Sequence, residues 1–176
     1  MKKVTISTKA KAPDWALLER EVIAKLNAAA PEFVNKYTNV DGTLKWKSEF
    51  GSMDGSDDPY EAFHNLALLY SIGGSEEIYE LARKMWESIT LQWTEYGQIY
   101  REFDGYYDWM HHGEAYLYFY FLGLTKPESL MDRQRARRFA RMYMGEDPLA
   151  ENYDKEKKIT RSPLNGSRGP RFVVTE

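Results

Sequence analysis

Side chains able to do chemistry gather in two short stretches. The first holds Asp54, Asp57 and Asp58, with His64 a few residues on. Paired carboxylates such as Asp57 and Asp58 divide acid and base work, because closeness raises the pKa of one of them. The second stretch holds Asp104, Asp108, His111, His112 and Glu114, interleaved with Tyr106, Tyr107 and Trp109. Two of the three histidines in the chain are adjacent there. A histidine near carboxylates and ringed by Tyr and Trp fits general acid–base work, or hydrogen bonding to sugar hydroxyls.

Each stretch has a plainer reading. Asp57 or Asp58 caps the helix that starts near Pro59, since Asp-Pro is a common helix opening. In the second stretch, one histidine caps a helix and the aromatics pack. His64, four residues beyond Tyr60, reads as a satisfied core histidine. Metal ligation by Asp108, His111, His112 and Glu114 fits poorly. Adjacent helical residues project about 100° apart, and the HExxH spacing of zinc hydrolases is missing. No metal and no cofactor are expected. The chain carries no Walker loop, GxGxxG or GxSxG, which leaves nucleotide and α/β-hydrolase readings without support.

Arg133, Arg135, Arg137, Arg138 and Arg141 resemble a basic patch, but the apolar residues between them point to an exposed helical face. The segment from Arg161 to Arg171 holds three arginines, turn residues and no apolar periodicity. It folds over a mouth and presents Arg168 to a carboxylate, or it is a loose end.

Helices must position these groups. Pro13 to Ala30 reads as the first, with Trp15, Leu18, Val22 and Leu26 in one apolar stripe. Pro31 ends it or starts a short second piece through Tyr37. Thr38 to Pro59 is a long loop with at most one short strand, because only Leu44, Trp46, Ser48 and Phe50 alternate. Tyr60 to Ile72 is the next helix, stopped by Gly73-Gly74. Ser75 caps the following one, whose stripe is Ile78, Leu81, Met85, Ile89 and Trp93. After an irregular stretch from Gly97 to Met110, Ala115 to Leu124 is apolar nearly all round and reads as a buried helix. Pro127 breaks it, and Leu130 to Met144 forms a last helix ending at Gly145. Residues 146–176 read as an extended tail or loop.

A repeat links these helices. Glu61-Ala62-Phe63 and Glu114-Ala115-Tyr116 hold the same place in their helices, 53 residues apart (114 minus 61). Each precedes a short break and a longer amphipathic helix, and each follows an irregular polar loop. The layout predicts an all-α fold of stacked antiparallel αα-hairpins, whose neighbours bury one another's faces. The inner helices then line a concave surface with the polar stretches at its mouth.

Composition narrows the function classes. The 176 residues suit one domain, and 43% hydrophobic residues suffice for a packed core. Lys plus Arg number 24 against 27 Asp plus Glu, a balance that argues against nucleic acid or a polybasic membrane binder. Cysteine is absent, which removes disulfides and thiol catalysis. The longest uncharged apolar run, Ala115 to Leu124, is about half of what a bilayer requires. The amino terminus is basic without the apolar stretch of a secretory signal, so the expectation is a cytoplasmic protein or an exported one whose signal has been removed. Aromatics reach 15%, many of them Tyr and Trp, which suits a sugar-facing or interface-rich surface.

The hairpin repeat, Gly55-Ser56-Asp57-Asp58-Pro59-Tyr60 and Tyr107-Asp108-Trp109-Met110-His111-His112-Gly113-Glu114 together resemble the six-hairpin glycosidase-like (α/α)-barrel superfamily. That group includes glucuronidases and unsaturated glucuronyl hydrolases. The resemblance spans roughly Trp46 to Arg171. It implies a partial (α/α) toroid and a glycoside hydrolase acting on uronate-containing oligosaccharides or polysaccharides. By it, Asp57 or Asp58 is the acid or base, and His111, His112 and Glu114 hold the sugar or share the proton transfer. Trp46, Tyr106, Tyr107 and Trp109 become sugar platforms, and Arg101 or Arg168 pairs with a uronate carboxylate. A complete toroid has six hairpins, more than this chain supplies. The expectation is therefore the amino-terminal part of a larger barrel or a homo-oligomer. The alternative is a non-catalytic helical-repeat module that grips a protein partner or another copy of itself.

Overall fold

The computed structural model describes residues 5, 7–45, 58–95, 99–100, 104–105, 109–146 and 153–160. The described chain is all-α, with five helices and two minimal β-hairpins: α1 (Asp14–Tyr37), α2 (Asp58–Ser71), α3 (Glu76–Glu95), α4 (Trp109–Thr125) and α5 (Leu130–Tyr143). Strands β1 (Ile99–Tyr100) and β2 (Asp104–Gly105) pair antiparallel between α3 and α4, and β3 (Tyr153–Asp154) pairs with β4 (Ile159–Thr160) after α5.

Pro31 lies inside α1 and does not end it, contrary to the sequence expectation. Proline removes one intrahelical hydrogen bond. The turn after it is anchored by tertiary packing instead: Val34 is buried, and Phe33 meets Phe63 edge-on with ring centroids 5.5 Å apart. The expected stripe of Trp15, Leu18, Val22 and Leu26 forms but does not face the core. Trp15 is 68% exposed and Leu18 61%, whereas Ile23, Ala30 and Val34 on the adjoining face pack inward.

The break between α2 and α3 follows from its glycines. Gly73 adopts a φ of +119°, which L side chains rarely take, and a Cβ on Gly74 would sit 2.8 Å from the Leu69 carbonyl oxygen. The Gly74 N–H donates to that same oxygen at 2.8 Å. The chain thus reverses, and α2 and α3 pack antiparallel. Tyr70 meets Tyr79 near the turn, while Tyr60 reaches Trp86 and the Thr90 hydroxyl at the far end.

Contacts between hairpins give the stacking. Tyr60 meets Tyr118 and His64 meets Phe121, so α2 and α4 run side by side in the same direction. Arg83 pairs with Asp132 and Glu87 with Arg135, so α3 and α5 are likewise parallel. Helix α1 keeps to the α3 side: Asn27 Oδ1 accepts from the Ser75 N–H, and Lys84 donates to the Val40 carbonyl. The layers are therefore α2 and α4 inside, with α1, α3 and α5 outside. The core between them is largely aromatic, centred on Tyr60, Trp86, Tyr118 and Phe119.

Three further expectations change. Helix α4 begins at Trp109, six residues before the predicted Ala115. A helix can extend through such polar turns when apolar packing further along holds it, as Tyr118, Phe119 and Leu122 do. The stretch 97–110 contains the β1–β2 ribbon. The region after α5, expected to be extended, folds back at 153–160, where Asp154 Oδ1 accepts from the Glu156 and Lys157 N–H groups.

Candidate functional site

Because α2 and α4 are parallel neighbours, their amino-terminal ends share one end of the array. Asp58 opens α2 and is exposed. Trp109, His111, His112 and Glu114 occupy the first two turns of α4. The Tyr60–Tyr118 pair sets the level of the two helices, and on it Asp58 is level with Tyr116. His112 then lies about 6 Å further along the axis at 1.5 Å per residue, on a helix roughly 8–10 Å away. Asp57, Trp46, Arg101, Tyr106, Tyr107 and Arg168 lie outside the described residues.

The surface leading inward from that end is graded. On α2, Asp58, Glu61, Asn65 and Leu68 are exposed at helical spacing, as is Ile72 just past its end, and on α4 so are Leu117, Tyr120 and Leu124. Carboxylates thus sit toward the entrance and apolar side chains deeper along the same faces. Glu61, one turn inside Asp58, is a carboxylate that the sequence reading used only to align the repeat. Its equivalence to Glu114 was the signal that could have placed it here.

His64 is half-buried, with its ring 5.5 Å from Phe121. Among the described residues its buried Nδ1 has no hydrogen-bond partner, so it is not the satisfied core histidine expected. The helix pairing explains this: His64 faces the seam with α4, where its neighbour is an aromatic ring.

The best-defined electrostatic feature lies on the outer layer. Arg83 donates to both carboxylate oxygens of Asp132, at 2.8 and 2.5 Å, and to the Tyr79 hydroxyl at 3.0 Å. Arg135 makes a matching fork to Glu87 at 2.6 and 2.8 Å. Asp132 is almost fully buried. Burial alone would raise its pKa, but the Arg83 and Ser129 hydrogen bonds outweigh that and hold it below the usual carboxylate range. The same pairing holds the Arg83 guanidinium above its ordinary value, against its own desolvation. Arg135 is consequently part of the α3–α5 joint, correcting the expectation of an exposed arginine face; Arg133, Arg137, Arg138 and Arg141 do stay exposed. The i, i+4 pair Arg83–Glu87 and the i, i+3 pair Asp132–Arg135 were visible in the sequence, but not their partnership across 48 and 49 residues.

Among the described residues no three His, Asp or Glu side chains come together to hold a metal ion. None of the described helices is long and apolar enough to cross a membrane.

The family model described as a domain of unknown function, DUF8034, matches residues 3–176. The chain belongs to that family. No curated protein and no solved structure matches the sequence.

Proposed function

We infer that this chain is a carbohydrate-active enzyme, or a portion of one, that hydrolyses uronate-containing glycans with paired acid and base groups. One observation carries the reading: parallel inner helices bring the entrance of α2, with Asp58, beside the entrance of α4, with His111, His112 and Glu114. In this reading Asp58 or Asp57 exchanges the proton with the glycosidic oxygen or the attacking water. The histidine pair and Glu114 hold ring hydroxyls or share that transfer, while the tyrosines and Trp109 stack on the sugar face. No cofactor enters the reaction, and the stacking of inner helices agrees with a partial (α/α) toroid.

Calorimetric titration with glucuronate and galacturonate oligosaccharides tests the reading. Saturable binding is expected, weakened at least about tenfold by Asp58→Asn and by His112→Ala in chains that keep their helical circular dichroism. A folded chain that binds none of these sugars contradicts it.

A second reading, a helical-repeat module without catalysis that grips a partner or a second copy, draws on a different observation. Trp15, Leu18, Val22 and Leu26 form an exposed apolar stripe along the first half of α1, and contiguous exposed apolar surface of this kind marks interaction sites. Mass measurement across concentration, with Leu18→Glu as the comparison, separates this reading from a strictly monomeric sugar enzyme.

A further inference from the structure

The two hairpins can be aligned residue by residue. Helix α3 begins at Glu76 and α5 at Leu130, an offset of 54 (130 minus 76). The inner helices align at 53, as their Glu-Ala-aromatic strings do. Residues that face the interior of their own hairpin are buried in both copies: Phe63 and Tyr116, Leu66 and Phe119, Leu69 and Leu122, Met85 and Phe139.

A second set differs. Ala67, Tyr79, Ala82 and Trp86 are buried on the first hairpin, whereas their counterparts Tyr120, Arg133 and Ala140 are exposed and Ala136 is only partly covered. On the first hairpin the outer-helix members of this set are covered by α4 and the turn after it. Tyr118 meets Trp86 edge-on and donates its hydroxyl to the Ala82 carbonyl at 2.5 Å, and Lys126 lies 3.8 Å over the Tyr79 ring. At the matching place on the second hairpin there is an open groove of about 260 Å³. Phe119, Tyr120 and Leu124 line it from α4, and Arg133 and Ala136 from α5. Gly123 forms part of its floor, and a Cβ built there meets nothing within 4 Å.

We propose that this groove is a docking seat for an amphipathic α-helix of a protein partner, received as the α2–α3 hairpin receives α4. The continuity of an interface already made once within the chain identifies the occupant as a helix lying parallel to α4. The groove also sets the chemistry. A tyrosine at the place of Tyr118 brings its hydroxyl within reach of the Ala136 carbonyl, as Tyr118 reaches Ala82. Arg133 stands where the first hairpin has Tyr79, and among the described residues it makes no ion pair, so the helix carries a carboxylate where α4 carries Lys126. The seat shares Tyr120 and Leu124 with the inner surface but none of the entrance groups, and it stands whether or not the chain binds glycans.

The test uses the whole chain and a soluble designed helix of about eighteen residues. The probe carries Tyr, Phe and Leu at the spacing of Tyr118, Phe119 and Leu122, Glu at the place of Lys126, and Lys and Gln elsewhere. Saturable binding is expected, with backbone amide shifts confined to α4, α5 and the turn between them. Gly123→Trp fills the groove and replaces a helix-interior glycine, so it preserves the fold; it weakens binding at least about tenfold. Arg133→Glu, an exposed position, reverses the preference toward a probe ending in Lys. Absence of binding, shifts centred on the α1 stripe, or affinity unchanged in both variants overturns the proposal. Self-association of the chain that Gly123→Trp abolishes would instead assign the seat to a second copy.

Discussion

At the scale of single residues, Asp132 bears the greatest electrostatic demand. Its carboxylate is buried and forked onto Arg83, so removing it strands a guanidinium that is itself mostly covered. Asp132→Ala is expected to lower stability by about 3–5 kcal/mol, read from urea unfolding. The pH dependence has a definite sign. The folded pKa lies below the ordinary 3.8, so the stabilisation is complete above that value and disappears as pH falls through the folded value. Asp132→Asn should therefore unfold less steeply with acid below about pH 4 than the parent does, even though it is less stable at neutrality. Tyr118 is a milder case. Its phenol is fully buried, burial pushes its pKa well up, and its hydroxyl donates to the Ala82 carbonyl. Tyr118→Phe is expected to cost about 0.5–1.5 kcal/mol, because the ring packing survives. Neither role was legible in the sequence. An aspartate in a row of arginines looks like a solvated face until the helix that receives it is known, and His64 looked satisfied because nothing in its own helix disclosed an aromatic ring across the seam.

At the scale of elements, the sequence was most readable where one periodicity governs the residues. Helix α3 buries Ile78, Met85, Ile89 and Trp93 as their spacing predicts, and α2 and α5 agree with their predicted bounds to within two residues. It was least readable where local and tertiary preferences conflict. Pro31 argues for a break, yet Val34 and Phe33 are held by the neighbouring helices, and packing decides the outcome. This yields a prediction: Pro31→Ala restores a hydrogen bond in mid-helix and should raise stability by about 1–3 kcal/mol, seen as a higher thermal midpoint with unchanged helix content. The β3–β4 ribbon was missed for the opposite reason. Two-residue strands carry no period, and the Asp154 side chain that organises the turn is an ordinary charged residue in the sequence.

At the scale of the molecule, stacking is what converts distant stretches of sequence into neighbours. The repeat of 53 residues announced two hairpins, and that part was legible; how they faced one another was not, since it depends on cross-helix pairs such as Tyr60 with Tyr118. The absence of cysteine allows a direct check of this arrangement. His64→Cys with Phe121→Cys places thiols on facing positions whose wild-type rings are 5.5 Å apart, and a short bis-maleimide should link them rapidly. A control pair, Tyr60→Cys with Thr125→Cys, would be close only if the helices ran antiparallel, and should stay unlinked. Of the open edges of the array, the α1 stripe was legible as a periodicity but not as an exposed face, and the α4–α5 groove was not legible beyond the count of hairpins.

The proposed sugar site requires both inner-helix entrances to act on one ligand. The most direct measurement is titration of the isotopically labelled chain with a uronate trisaccharide, following backbone amides in the first turns of α2 and α4 together. The account predicts that both sets shift along a single saturation curve, with Asp58→Asn displacing the curve for both. Shifts at only one helix, two unrelated curves, or no shift at either entrance would contradict it.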